Sequence, residues 1–131
     1  MSYSNPVEQL YQQEELYNLG PRVVIIIPVL WNLLPDSEQL LLSKILTFVK
    51  KSLSTVQILT LTEAETDALL IFRPSHIIAF GSILKVSGMT IEPYQPHEVE
   101  LAVVLQADSL DLLDDPKKKI LGKVLREMFQ L

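Results

Sequence analysis

Val23-Val24-Ile25-Ile26-Ile27-Pro28 is the stretch on which the fold turns. Five β-branched residues in a row, with no polar residue among them, predict a strand covered on both faces, as at the centre of a parallel sheet. Pro28 has no amide hydrogen to give to a ladder, so the strand should fray there. Downstream, a helix is predicted to begin near Asp36 or Ser37, either of which can accept from the free amides of a first turn. It runs to about residue 52, with Leu41, Ile45, Phe48 and Val49 on one face and Leu42, Leu46 and Leu53 widening the stripe. Residues 56–61 read as a second strand. Thr62 followed by Glu65 has the spacing of a capping box, which predicts a helix over 63–72. Arg73-Pro74 should stop it, because the residue before a proline is driven from the helical region.

Residues 76–80 read as a third strand ending at Gly81. A loop over 82–96, with a short edge strand around 90–94, should lead to a strand over 99–105 in which Val99, Leu101, Val103 and Leu105 point one way. Residues 108–115 suggest a turn plus a helical turn. The closing helix has Asp115 as its expected cap, Pro116 at its first position, and an apolar stripe of Ile120, Leu121, Val124, Leu125, Met128 and Phe129. Strands alternating with helices through short connections imply right-handed crossovers. The expected fold is therefore α/β, a three-layer α/β/α sandwich around a mainly parallel central sheet.

Ahead of the strand, residues 5–18 predict a helix. Ser4 or Asn5 can cap it, Pro6 suits its first position, and Gly20-Pro21 ends it. Val7, Leu10, Tyr11, Leu16 and Tyr17 form a modest apolar face, the candidate partner-binding residues. That face docks either on its own domain or on another protein, and the sequence leaves both open. The expected organisation is one domain over 1–131, with a helix and joint at 1–21 and the sheet-and-helix core at 22–131.

At 131 residues, 48% hydrophobic and 21% charged, the chain can bury a real core. There is no cysteine, so disulfides, thiolate metal sites and cysteine catalysis are excluded. Its apolar runs are far shorter than the roughly 20 residues of a membrane helix. The first 20 residues carry acids and glutamines rather than a basic end and an apolar run, so a soluble, cytoplasmic protein is expected. A net charge of −5 argues against non-specific DNA binding, which Lys and Arg drive by displacing counterions. The charge is unevenly spread. Between Val86 and Pro116 there are seven acids and no Lys or Arg, and Lys117, Lys118, Lys119, Lys123 and Arg126 then follow. Such a run reads most simply as a solvated helix face.

Ligands in this architecture bind beyond the carboxyl ends of the strands. The loop after the first strand, residues 28–35, holds no glycine, so neither a dinucleotide fingerprint nor a phosphate loop is present. A phospho-accepting aspartate and a G-x-S-x-G elbow are missing as well. The crevice candidates are Trp31, Gly81, Ser82, Asp108 and Ser109. Trp31 either stacks on a ligand or partner, or closes the end of the core. Gly81-Ser82 brings backbone amides close to a ligand or is a simple turn. His76 reads as an edge residue, and His97, with Glu98 and Glu100, matches no metal-ligand spacing. No metal and no cofactor are expected.

The order of pieces resembles a known family. A leading helix ends in Leu16-Tyr17-Asn18-Leu19-Gly20, and a buried strand and a helix follow. Then come the strand Gln57-Ile58-Leu59-Thr60-Leu61-Thr62 and Ile77-Ile78-Ala79-Phe80-Gly81. Ala107-Asp108-Ser109-Leu110-Asp111-Leu112-Leu113-Asp114-Asp115-Pro116 precedes the lysine-rich closing helix. This layout resembles the psi subunits of the bacterial DNA polymerase III clamp-loader complex, small proteins with a uracil-DNA-glycosylase-like fold. The resemblance implies a non-catalytic role in DNA replication, coupling the clamp loader to the chi subunit and, through chi, to single-strand-binding protein. Protein partners are thus expected, with neither direct nucleic-acid binding nor a membrane. The alternative is a small-molecule-binding or enzymatic α/β domain of unrecognised chemistry. A glycosylase-like enzyme is included, although Asn32 and Asp36 stand in a first loop without glycine and Ala107-Asp108-Ser109 carries no histidine.

Overall fold

The β-branched run forms β1 (Arg22–Ile27) in a computed structural model of the chain, which describes residues 22–131. The helix expected over 5–18, its stripe of Val7, Leu10, Tyr11, Leu16 and Tyr17, and the Gly20-Pro21 joint lie outside the described residues. From β1 the chain continues through α1 (Asp36–Phe48), β2 (Val56–Thr60), β3 (Glu63–Glu65), α2 (Thr66–Leu69) and β4 (Pro74–Phe80). It then passes through β5 (Ile83–Val86), β6 (Met89–Thr90), β7 (His97–Val99), β8 (Ala102–Ala107) and α3 (Asp115–Phe129).

The fold is α/β with a mostly parallel main sheet of order β2-β1-β4-β8-β7, in which only β7 runs antiparallel to its neighbour. β1 sits inside this sheet, with Ile25 level with Ile58 on one side and Ile78 on the other. Its side chains alternate between two cores, as strand geometry requires. Val23, Ile25 and Ile27 pack with Leu42 and Leu46 of α1 and Leu121, Leu125 and Met128 of α3. Val24 and Ile26 pack with Ala64, Leu69 and Leu84. All five are buried, each contributing about 1.5–3 kcal/mol relative to an exposed side chain. Among the described residues no helix is long and apolar enough to cross a membrane.

Several elements depart from their sequence expectations. Residues 63–72 form the strand β3, the short helix α2 and a 3-10 turn over Leu70–Phe72 instead of one continuous helix. Glu63–Glu65 pair in parallel with Ile83–Lys85, which seats Ala64 in the second core, while Glu63 meets Lys85 at 2.7 Å and Glu65 accepts from the Gly88 amide. The ladder outweighs the capping box, and Glu65 makes no side-chain cap. The loop expected over 82–96 contains the β5–β6 hairpin, whose turn residues Ser87 and Gly88 both have positive φ. Its edge strand falls at Met89–Thr90, ahead of the expected 90–94.

The strand expected over 99–105 is a hairpin. Val99 pairs with Ala102, Glu100 turns at φ 55°, and Leu101 is left 96% exposed at the tip. Leu101 thus faces neither core, while Leu105 and Val99 enter opposite ones. α1 ends at Phe48, short of residue 52, because Lys50 takes a left-handed φ of 63° and the Lys51 amide bonds back to the Leu46 carbonyl. That is the closing pattern of a Schellman turn. Pro35, rather than Asp36 or Ser37, occupies the cap position of α1, and Asp114, rather than Asp115, caps α3 by accepting from the Lys117 amide at 3.0 Å. Ile120 lies outside the buried stripe at 49% exposure.

His76 fastens the end of α3 to the start of β4. Its ring stacks on Phe129 with centroids 4.0 Å apart, and Nε2 donates to the Met128 carbonyl at 2.9 Å. Burial holds its pKa below the ordinary 6.5, aided by Lys51 and opposed by the bond to Met128. The unfolded chain therefore takes up the proton first, and stability is full above pH 6.5 and declines as pH falls below it. The urea midpoint should be lower at about pH 5.5 than at about pH 7.5, and His76→Gln should remove most of that difference.

Candidate functional site

Because β1, β2, β4 and β8 are parallel, their carboxyl ends share one edge, and the loops leaving β1, β4 and β8 frame a crevice of about 460 Å³. One wall is Pro28 and Val29 after β1, with Leu33 and Leu34. The turn over Trp31–Leu33 is pinned by Gln39, whose amide donates to the Trp31 and Leu34 carbonyls at 2.9 and 3.2 Å. Phe80 and Gly81 supply the floor between β4 and β8, and Ser109, Leu110 and Asp111 the far wall. Gly81 has φ 84° and lies so close to Ser109 that a Cβ added to it would stand 2.6 Å from the Ser109 Cβ.

The five crevice candidates do not converge. Gly81 and Ser109 line the crevice. Ser82 is buried, and its hydroxyl donates to the Leu61 carbonyl. Trp31 is half-buried against the helix-side core, the placement of a residue closing the core end. Asp108 accepts from the Tyr94 hydroxyl at 2.7 Å and pairs with Lys117 at 3.3 Å.

This last cluster has electrostatics that identify its role. Burial and the bond to Asp108 push the Tyr94 phenol up to about 12. The same bond, with Lys117, holds the Asp108 carboxyl below the ordinary carboxylate range. At neutral pH the phenol is a fixed donor and the carboxylate a fixed acceptor, so the pair is a clamp rather than a proton relay. It fastens the 91–96 loop to the end of β8, helped by the Tyr94 amide on the Gln106 carbonyl. Tyr94 was not recognisable as a clamp residue in the sequence. Its partner is remote, and its only signal is an aromatic with a polar tip in a proline-bounded loop.

The crevice walls offer little chemistry. Ser109 donates to Asp111, but neither imidazole lines the crevice, His76 lying near the amino end of β4 and His97 on the edge strand β7. The ionisable lining groups are Glu38 and Asp111, two carboxylates that repel a phosphate or a phosphodiester. Among the described residues no three His, Asp or Glu side chains are grouped to hold a metal ion.

A second concavity lies on the helical face. Leu41, Ile45 and Phe48 of α1 and Leu121, Gly122 and Leu125 of α3 enclose an apolar groove of about 210 Å³, with Lys44 and Lys118 on its rim. The Arg126 guanidinium stands 5.8 Å from the centre of the Phe48 ring. Gly122 keeps the groove open in mid-helix, where glycine costs roughly 0.5–1 kcal/mol against alanine. A Cβ there would rest 3.9 Å from Phe48, an ordinary contact, whereas a longer side chain would fill the space. The sequence places Leu41, Ile45, Phe48 and Leu121 on apolar stripes; that the two stripes leave a groove depends on helix placement. Comparison with known protein families, curated proteins and solved structures finds no match.

Proposed function

We propose that the chain is a non-catalytic protein-interaction module whose partner supplies an acidic segment with apolar anchors. The observation that carries this reading is the α1–α3 groove, an apolar slot with a cationic rim on a chain of net charge −5. Aromatic and aliphatic anchors in such slots dominate interface energy, while rim charges set partner choice and approach rate. The resemblance to psi subunits names a candidate role, a link between the replicative clamp loader and single-strand-binding protein. In that role the chain is not an enzyme, takes no cofactor, does not bind nucleic acid directly and works in the cytoplasm. Val7, Leu10, Tyr11, Leu16 and Tyr17 are proposed as a second docking stripe. The three-layer arrangement belongs to the same proposal, with α1 and α3 as one outer layer and α2 beside the β3-β5-β6 sheet contributing to the other.

The test is binding of the purified chain to purified clamp-loader subunits and chi. Wild type should bind, and Lys44→Glu with Lys118→Glu, both on exposed positions, should weaken the complex roughly tenfold, about 1.4 kcal/mol. Gly122→Leu should weaken it too while the chain stays folded. Absence of binding to any of these proteins, or uracil excision by the pure chain, would overturn the reading.

A further inference from the structure

The amino end of the main sheet carries a patch that the proposed function does not use. Leu101, at the tip of the β7–β8 turn, is the most exposed large apolar side chain described. Glu100 carries the positive φ of this two-residue turn, so the backbone calls for no large apolar side chain beside it. It borders a cavity of about 410 Å³ that Met128, Phe129, Ser75, Lys50 and Lys51 also line. Among the described residues the ion pairs are Lys85 with Glu63 and Lys117 with Asp108, so neither Lys50 nor Lys51 meets a carboxylate there. Apolar area and unmatched positive charge are thus side by side.

The hydroxyl of Ser75, a lining residue, donates to the Arg22 carbonyl at 3.1 Å, so β1 begins beside the opening. The preceding sequence is Glu14-Glu15-Leu16-Tyr17-Asn18-Leu19, and residues 1–21 contain three glutamates and no lysine or arginine. Extended chain advances at most ~3.3–3.6 Å per residue, so a three-residue stretch reaches about 11 Å from Arg22 and an eight-residue stretch about 29 Å. Both charge and reach match.

We propose that this cavity is the docking site of the chain's own residues 14–19, with Leu16, Tyr17 and Leu19 covering Leu101 and Phe129 and with Glu14 and Glu15 meeting Lys50 and Lys51. Leu16 and Tyr17 then serve an intrachain contact in place of the partner contact proposed for them above, leaving Val7, Leu10 and Tyr11 for a partner. The proposal stands whether or not the α1–α3 groove takes one.

The absence of cysteine makes a direct test available. Gln13→Cys in the full chain gives a single attachment point for a nitroxide, and the methyl resonances of Leu101 and Met128 report its approach. Strong broadening of both is expected, unchanged on dilution. Lys50→Glu with Lys51→Glu should abolish it, and adding Glu14→Lys with Glu15→Lys should restore it, a recovery that altered folding would not produce. No broadening in the labelled Gln13→Cys chain with its lysines and glutamates unchanged would overturn the proposal. So would broadening that fades on dilution, which places a second copy there, or broadening confined to Leu41, Ile45 and Leu125, which places the segment in the groove.

Discussion

Gly81→Ala should destabilise the chain by about 3 kcal/mol, a large share of a typical domain's stability. Two costs combine. The left-handed backbone at φ 84° penalises any L side chain by about 1–2 kcal/mol. The new Cβ would also lie 2.6 Å from the Ser109 Cβ and 3.0 Å from its Cα, so the ends of β4 and β8 must part or distort, at about 1–3 kcal/mol. Gly88 separates the terms. Its φ is 78°, but a Cβ there meets nothing within 4 Å, so Gly88→Ala should cost only the backbone share, about 1 kcal/mol. Placing Ser109→Gly on the Gly81→Ala background removes the Cβ–Cβ clash but not the Cα one, and should recover part of the loss. Urea midpoints of the three variants, each against the unaltered chain, would show it. Equal losses for Gly81→Ala and Gly88→Ala would mean that β4 and β8 do not need the close approach.

The main sheet was legible because its signal is local. Five β-branched residues without a polar one cannot lie on a solvated strand, and β1 is indeed interior and parallel on both sides. α3 was legible for a similar reason, its stripe falling at helical spacing on Leu121, Val124, Leu125 and Met128. The failures come from pairings that local sequence does not encode. Thr62 and Glu65 have capping-box spacing, yet Glu63–Glu65 pair with a strand some twenty residues away. Val99 to Leu105 alternate well enough for one strand, but the turn at Glu100 needs a left-handed residue that glutamate does not advertise. Ser87-Gly88, by contrast, is a recognised turn dipeptide that could have marked the β5–β6 hairpin.

The crevice was legible as a place and not as a site. Parallel strand order predicts where loops gather, and Gly81 and Ser109 are there. Which side chains turn inward depends on tertiary contacts. Asp108 is taken by Tyr94 and Lys117, Ser82 by the Leu61 carbonyl, and Trp31 by the core. What faces the crevice instead is mostly apolar, a consequence of the same packing that pins the polar groups elsewhere.

Phe80→Ala should be the costliest of the single changes considered, at about 3–5 kcal/mol. Phe80 heads the large side chains that are fully buried, and it closes the helix-side core where it forms the crevice floor with Gly81. Truncation removes the ring's transfer energy and leaves a cavity that rigid neighbours cannot collapse. Ile78 and Leu105 sit on strands held by parallel ladders, so their backbones cannot move in. The crevice supplies a natural comparison, because Leu33 on its opposite lip is 69% exposed. Leu33→Ala should change stability by no more than about 0.5 kcal/mol, since little of that side chain leaves water on folding. The pair divides the crevice into a wall the fold requires and a lip it does not. If Leu33→Ala were as damaging as Phe80→Ala, the lip would belong to the core and the crevice would be closed in solution. Equilibrium urea unfolding decides between these outcomes, with an unchanged slope and a markedly lower midpoint expected for Phe80→Ala alone.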